Sequence, residues 1–232
     1  MRRLLICFDV DGTLIDDTIF IWQTLHEAIG TDPIEREHWS DAFWKKEITY
    51  AEWAARDVAM WQEKNVTRDG IMACIRALRP MTGASETLHC LRKQGHTLGV
   101  ISGSLDVALA QAFPDWESVF EYVFLNRLIF DDSQRLLGVS ATPYDIDHKA
   151  DGLKEMARRT GFELSDTVFV GDHFNDVSVA RIAGLSIAFN CKSDALAEVS
   201  DTVIDGTDLR KILPAVRSYS MKRYAELNSV IS

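Results

Sequence analysis

Residues 3–9 read RLLICFD and run on as VDGTL over 10–14. A continuous apolar run closed by an acid is how a strand buried on both faces of a parallel sheet reads. After Ile15 the character changes. From Thr18 to Leu78 no stretch reads as a strand, and helical segments are punctuated by Gly30, Pro33, Glu47-Ile48-Thr49 and Asn65-Val66-Thr67. Five of the six tryptophans (Trp22, Trp39, Trp44, Trp53 and Trp61) fall here, as expected of a small bundle that needs large side chains to bury enough surface.

Strand and helix alternate from Pro80 onward. The pattern predicts helices over 84–94, 105–112, 150–160, 175–183 and 207–213, and strands over 97–101, 167–170, 185–189 and 202–204. The strand-rich piece 119–139 reads as a hairpin turning near Asp131-Asp132-Ser133, and the tail after Pro214 as a loosely docked segment. Helices between buried strands imply parallel βαβ units in a doubly wound, Rossmann-like α/β sheet. The expected organisation is a core of 1–15 and 81–232, with a helical cap of 16–80 inserted after the first strand.

Composition bounds the function. The 232 residues carry 35 acids against 25 Lys+Arg, a formal charge of -10, with no basic run to meet a phosphate backbone, so nucleic acid is not an expected partner. The apolar run after Arg2-Arg3 is cut by Asp9, shorter than the ~7–15 residues of a signal h-region. No stretch approaches the ~20 apolar residues of a membrane span. Cys7, Cys74, Cys90 and Cys191 show no CxxC spacing, so a reducing, cytoplasmic setting is expected, with Cys7 filling the core.

Ligands of open α/β sheets bind beyond the carboxyl ends of the strands. There the chain puts Asp9-Val10-Asp11-Gly12-Thr13, Ser102-Gly103-Ser104, Lys149, and Gly171-Asp172-His173-Phe174-Asn175-Asp176. Carboxylates, a lysine, hydroxyls and glycine backbone suit a hard divalent cation holding a phosphate. Each piece alone has a structural reading. Asp9 and Asp11 could form a turn, Ser102-Gly103 a loop, and Asp172 and Asp176 could favour a helix dipole. Lys149 opposes the dipole at a helix start, which calls for a nearby anion. His26, His148 and His173 lack ligand spacing and read as surface or rim residues.

Together, DVDGTL at 9–14, VISGS at 100–104, HKADGL at 148–153 and VGDHFND at 170–176, with NRLIFDD at 126–132 and IAFN at 187–190, resemble the haloacid dehalogenase superfamily in its phosphatase branch, most closely the phosphoserine phosphatases. The resemblance implies a phosphomonoester hydrolase using Mg²⁺ on a small phosphorylated metabolite. Asp9 would be the nucleophile that becomes an aspartyl-phosphate, Asp11 the general acid and base, and Lys149 a stabilising charge. Asp9, the Asp11 carbonyl and Asp172 would hold the metal, with Asp176 behind them. Ser102, the Gly103 amide and Asn175 would contact phosphate or substrate, and Gly12 would allow close backbone approach.

A phosphotransferase or mutase on the same site, or an idle binding protein on the same fold, stays open as an alternative. A dehalogenase would not need Asp11. In the cap, Thr18 stands where the resemblance implies a glutamate for a substrate ammonium, and Asp57 where it implies an arginine for a carboxylate. Asp16, Asp17 and Arg56 are the substitutes in reach. Phosphoserine is therefore expected to be a modest substrate beside esters without a zwitterionic head group, in a pocket walled partly by Trp22 and Trp44.

Overall fold

The structure, a computed structural model, describes residues 1–16, 18 and 20–231. LICF forms β1 (Leu5–Phe8), buried throughout. Ile6 and Phe8 join the larger core, while Leu5 and Cys7 meet Leu153, Met156 and Phe169 on the opposite face. That two-sided burial is why the run carries no polar alternation.

The chain then makes β2 (Ile15–Asp16), which pairs antiparallel with β3 (Arg79–Pro80). Between them lie α1 (Ile21–Ile29), α2 (Pro33–Trp44), α3 (Tyr50–Glu63) and α4 (Arg68–Ile75). Their ends follow local signals. Gly30 closes α1 at φ 74, Asp32 and Pro33 open α2, a Thr49–Glu52 capping box opens α3, and Thr67 caps α4. Ile21, Leu25, Val58, Trp61, Ile71 and Ile75 form the buried centre of this layer.

The remainder runs α5 (Ala84–Lys93), β4 (Thr97–Leu105), α6 (Asp106–Ala112), α7 (Trp116–Val119), β5 (Tyr122–Phe130), β6 (Leu136–Ser140), α8 (Lys149–Thr160) and β7 (Thr167–Gly171). It ends with α9 (Val177–Ala180), β8 (Leu185–Phe189), α10 (Asp194–Val199), β9 (Thr202–Ile204) and α11 (Leu213–Ile231). The sheet order is β6-β5-β4-β1-β7-β8-β9, parallel except for β6, which turns back on β5 as the hairpin reading expects. β1 lies at the centre, where the winding reverses, so the ends of β4, β1 and β7 meet at the switch point.

Four sequence expectations need correction. β4 continues through Ser102-Gly103-Ser104, with a register break against β5 between Ile101 and Leu105, so the serines sit on an irregular strand. The helix expected over 175–183 is a 3₁₀ turn at Phe174–Asp176 followed by one α turn, and the Asp176 side chain folds back to cap its start by accepting the amides of Asp172 and His173. The helix expected over 207–213 is a 3₁₀ turn at Leu209–Ile212 that runs into α11. Finally, α11 is anchored: Val216 and Ser220 are fully buried, Ser220 bonds Arg2, and Arg223 reaches Asp166 at 3.1 Å. No helix among the described residues is long and apolar enough to cross a membrane.

Candidate active site

Asp9 follows β1, its amide still in the ladder to the Val170 carbonyl at 2.9 Å. Lys149, the first residue of α8, is fully buried and brings its Nζ to 2.6 Å from Asp9 and 2.7 Å from Asp176. These are the anions that a cation at a helix start calls for. Asp172, after β7, takes Lys192 Nζ at 2.6 Å. Asp176 receives Lys149 on one oxygen and the amides of Asp172 and His173 on the other.

Carboxylate atoms of Asp9, Asp172 and Asp176 lie within 4.8 Å of one another. Burial, reinforced by the Asp9 charge, pushes the Asp172 and Asp176 carboxyls up. Burial alone would push the Lys149 ammonium down, but Asp176, Asp9 and Asp145 outweigh it and hold it up. These tendencies oppose one another, and the short contacts to the ammonium favour the ionised arrangement. Three carboxylates then face two ammonium groups, leaving negative charge on an all-oxygen donor set, which fits a hard divalent cation.

Asp11 is 7% exposed. Its oxygens accept the Ile21 amide at the start of α1 and the Ser104 hydroxyl, each at 2.7 Å. Burial pushes its carboxyl up to about 7 against these two bonds, and the charges of Asp9 and Asp172 add to the rise. Gly12 turns at φ +75, and a Cβ there would strike the Asp172 carboxylate, so the close approach requires glycine. Ser102 accepts the Ser104 amide at 3.1 Å, and the Gly103 carbonyl accepts Trp22 Nε1 at 2.8 Å and Asn126 Nδ2 at 2.7 Å.

Above this floor, α1, α2 and α3 close a cavity of about 250 Å³. Asp9, Asp11, Ser102, Gly103, Asp172 and Asn175 line it, while Lys149 and Asp176 lie buried beneath. Trp22 and Trp44 stand in its wall as expected, joined by Tyr50, Trp53, Phe20 and Phe174. Only some of the tryptophans are packing residues of the bundle: Trp61 is fully buried and stacks on Trp22 at 5.3 Å. His173 is on the rim and His148 is exposed, but His26 is 3% exposed, held among Thr31, Trp61 and Asp57.

The head-group expectation changes most. Arg56 turns away and covers the Trp39 ring at 4.3 Å, whereas Arg36 of α2 lines the cavity with its buried Nε unpartnered. Asp57 lines the same cavity, buried, with His26 Nε2 at 3.3 Å. Thr18 pairs with Thr24 and, like Asp16, is not among the lining residues; Asp17 lies outside the described residues. The sequence assigns no role to Arg36, Ser104, Asn126, Asp145 or Lys192. Asn126 opens the 126–132 stretch and Lys192 lies just beyond 187–190, but the sequence gives no signal of what their side chains hold.

Residues 6–181 match the model of the haloacid dehalogenase-like hydrolase family. The phosphoserine phosphatase of Methanocaldococcus jannaschii is 29% identical over 93% of this chain and 99% of its own length. That of Lactococcus lactis is 31% identical over 84% of this chain and 88% of its own. Among solved structures, a phospho-aspartyl intermediate analogue of phosphoserine phosphatase superposes with a TM-score of 0.72 at 29% identity, covering 93% of this chain and 100% of the other. A substrate-bound phosphoserine phosphatase complex gives 0.73 at 28%, covering 93% and 99%.

Proposed function

The chain belongs to the haloacid dehalogenase-like hydrolase family and is similar to its phosphatases, and from that premise we propose that it hydrolyses a small phosphate monoester through an aspartyl-phosphate on Asp9. The observation that carries the reading is the convergence of Asp9, Asp11 and Ser102 in one cavity, over a fully buried Lys149 at 2.6 Å from Asp9. In the first step an Asp9 oxygen bonds phosphorus as the ester P–O bond breaks, and Asp11 gives its proton to the departing oxygen. In the second, Asp11 takes a proton from water as the water oxygen bonds phosphorus, and Asp9 leaves as carboxylate with free phosphate. Ser102 and the Gly103 amide would donate to the phosphoryl oxygens, and Lys149 would balance the charge that Asp9 exchanges with phosphate.

Asp9, Asp172 and the Asp11 carbonyl, backed by Asp176, are the groups that would hold Mg²⁺. When bound, Mg²⁺ supplies the positive charge that lets an anionic ester approach three carboxylates. The chain segment 16–80 would act as the cap, with 1–15 and 81–232 as the catalytic core.

Arg36 of α2 and Asp57 of α3 give the helical wall of the cavity one base and one acid. Both charges of an amino-acid head group then have a partner, so phosphoserine becomes the first candidate substrate, in place of the modest role expected while Arg56 was the nearest base. The test is phosphate release from a panel of esters, with and without Mg²⁺. Hydrolysis is expected only with the metal, and undiminished release under excess chelator would overturn the mechanism.

Arg36→Ala is expected to lower kcat/KM for phosphoserine by about 10²-fold. Losing a charged partner of a desolvated carboxylate is worth ~3 kcal/mol. Hydrolysis of an aryl phosphate without a carboxylate should change by less than about threefold, since that substrate never used the guanidinium. Equal losses on both substrates would remove Arg36 from head-group recognition.

A further inference from the structure

Asn126 of β5 is fully buried, does not line the cavity, and has both its side-chain hydrogens and its side-chain oxygen bonded. Its Nδ2 donates to the Tyr50 hydroxyl and to the Gly103 carbonyl, each at 2.7 Å, and its oxygen accepts the Thr142 amide at 2.9 Å. Tyr50 begins α3, so this side chain ties the helical layer to the strand that carries the serines. The Gly103 carbonyl takes a second bond from the layer, the Trp22 indole of α1 at 2.8 Å. Two donors therefore fix one peptide plane.

That plane has another end. The amide nitrogen sharing it belongs to Ser104 and donates to Ser102 Oγ at 3.1 Å. A peptide is rigid, so holding its carbonyl orients its N–H. That bond takes one of the two lone pairs of Ser102 Oγ and fixes where the oxygen sits, and the hydroxyl proton, which no acceptor among the described residues takes, is left to donate into the cavity. The same plane sets the backbone of Ser104, whose hydroxyl holds Asp11 at 2.7 Å. The Ile21 amide at the start of α1 holds the other Asp11 oxygen.

We infer that Asn126 is a positioning residue for phosphoryl transfer: with Trp22 and Tyr50 it reads the seating of the helical layer and passes it, through the Gly103–Ser104 peptide, to Ser102 and Asp11. The inference rests on the proposed phosphatase activity. It makes proton delivery conditional on a seated layer, so an open cavity holding an ester would be slow to react.

The test measures kcat and KM for a good leaving group (an aryl phosphate) and a poor one (an alkyl phosphate) in Asn126→Ala, Tyr50→Phe and Trp22→Phe. The two aromatic variants keep the test alive if the buried alanine prevents folding. Each is expected to lose kcat with the alkyl ester by about tenfold more than with the aryl ester, because an activated ester needs little protonation to depart. KM should stay within about threefold, and Asp11→Asn should give the same leaving-group pattern. Trp22→Phe with Tyr50→Phe should lose less than the product of the two, because both act on one peptide.

Equal losses on both esters, a change confined to KM, or no loss would overturn the inference. So would simple destabilisation, read as a lowered Tm with leaving-group dependence unchanged. If the unaltered protein hydrolyses esters and Asp9→Asn does not, while these variants behave as wild type, the positioning role alone fails. If the unaltered protein hydrolyses no ester, the proposed function fails and this inference with it.

Discussion

Asp9→Asn is expected to abolish turnover while leaving the metal-free protein at least as heat-stable as the parent. An amide does not displace an alkoxide from phosphorus, so the covalent route closes, and removal of a nucleophile costs about 10⁴-fold or more. Stability moves the other way. Asp9 is one of three buried carboxylates gathered within 4.8 Å, and its charge adds to the burial that already pushes Asp172 and Asp176 up. Asparagine keeps an oxygen at the position where Lys149 Nζ now stands at 2.6 Å, but removes the repulsion. Phosphate release and a thermal melt in chelator check the two halves. Retained activity would sink Asp9 as nucleophile, and a large fall in Tm would mean that the carboxylate is needed to balance Lys149.

Lys149→Met is expected to damage both properties, and Mg²⁺ should separate them. The methionine fills the space of the stem but leaves Asp9 and Asp176 without the ammonium that now lies at 2.6 and 2.7 Å. Breaking a buried pair costs about 3–5 kcal/mol, nearer 3 where Asp176 can take up a proton, or roughly 6–12 °C in Tm for a chain of this size. A divalent cation among the same carboxylates would replace the lost charge, so millimolar Mg²⁺ should restore most of the Tm. It should not restore kcat, expected to stay down by about 10²–10³-fold, because Lys149 is proposed to stabilise charge in the transition state. A metal-free Tm equal to that of the parent would show that Lys149 does not hold the acids together.

What the sequence made legible follows from how each feature is encoded. β1 could be read because burial on both faces demands an unbroken apolar run, and the floor of the site because its residues stand at strand ends beside Gly12 and Gly171. Lys149 announced its partners by opposing the helix dipole. Arg36 gave no such sign: α2 reads PIEREHWSDAFW, with only Ala42 buried, and nothing in that pattern tells which charged residue faces a cavity made by other helices. Arg56 was the wrong base for the same reason, since its role depends on Trp39, seventeen residues away. Asn126 stands within the 126–132 motif, yet its bonds to Tyr50, Gly103 and Thr142 all span long stretches of chain. α11 looked loose because its buried serine and its arginine find their partners near the N-terminus and at Asp166.

The antiparallel pair β2 and β3 puts Ile15 beside Pro80 and Asp16 beside Arg79. The helical excursion between them is thus a loop whose ends are already joined, and its length bears only weakly on the entropy of closing it. Insertions, deletions or wholesale replacement of that excursion present the central sheet with the same two entry points. Evolution, or a protein engineer, can rewrite the helical wall of the cavity at this graft point while leaving Asp9, Lys149, Asp172 and Asp176 untouched. The constraint on any such graft is narrow: it must return a backbone amide to Asp11 where Ile21 now gives one, and a donor to the Gly103 carbonyl where Trp22 now stands.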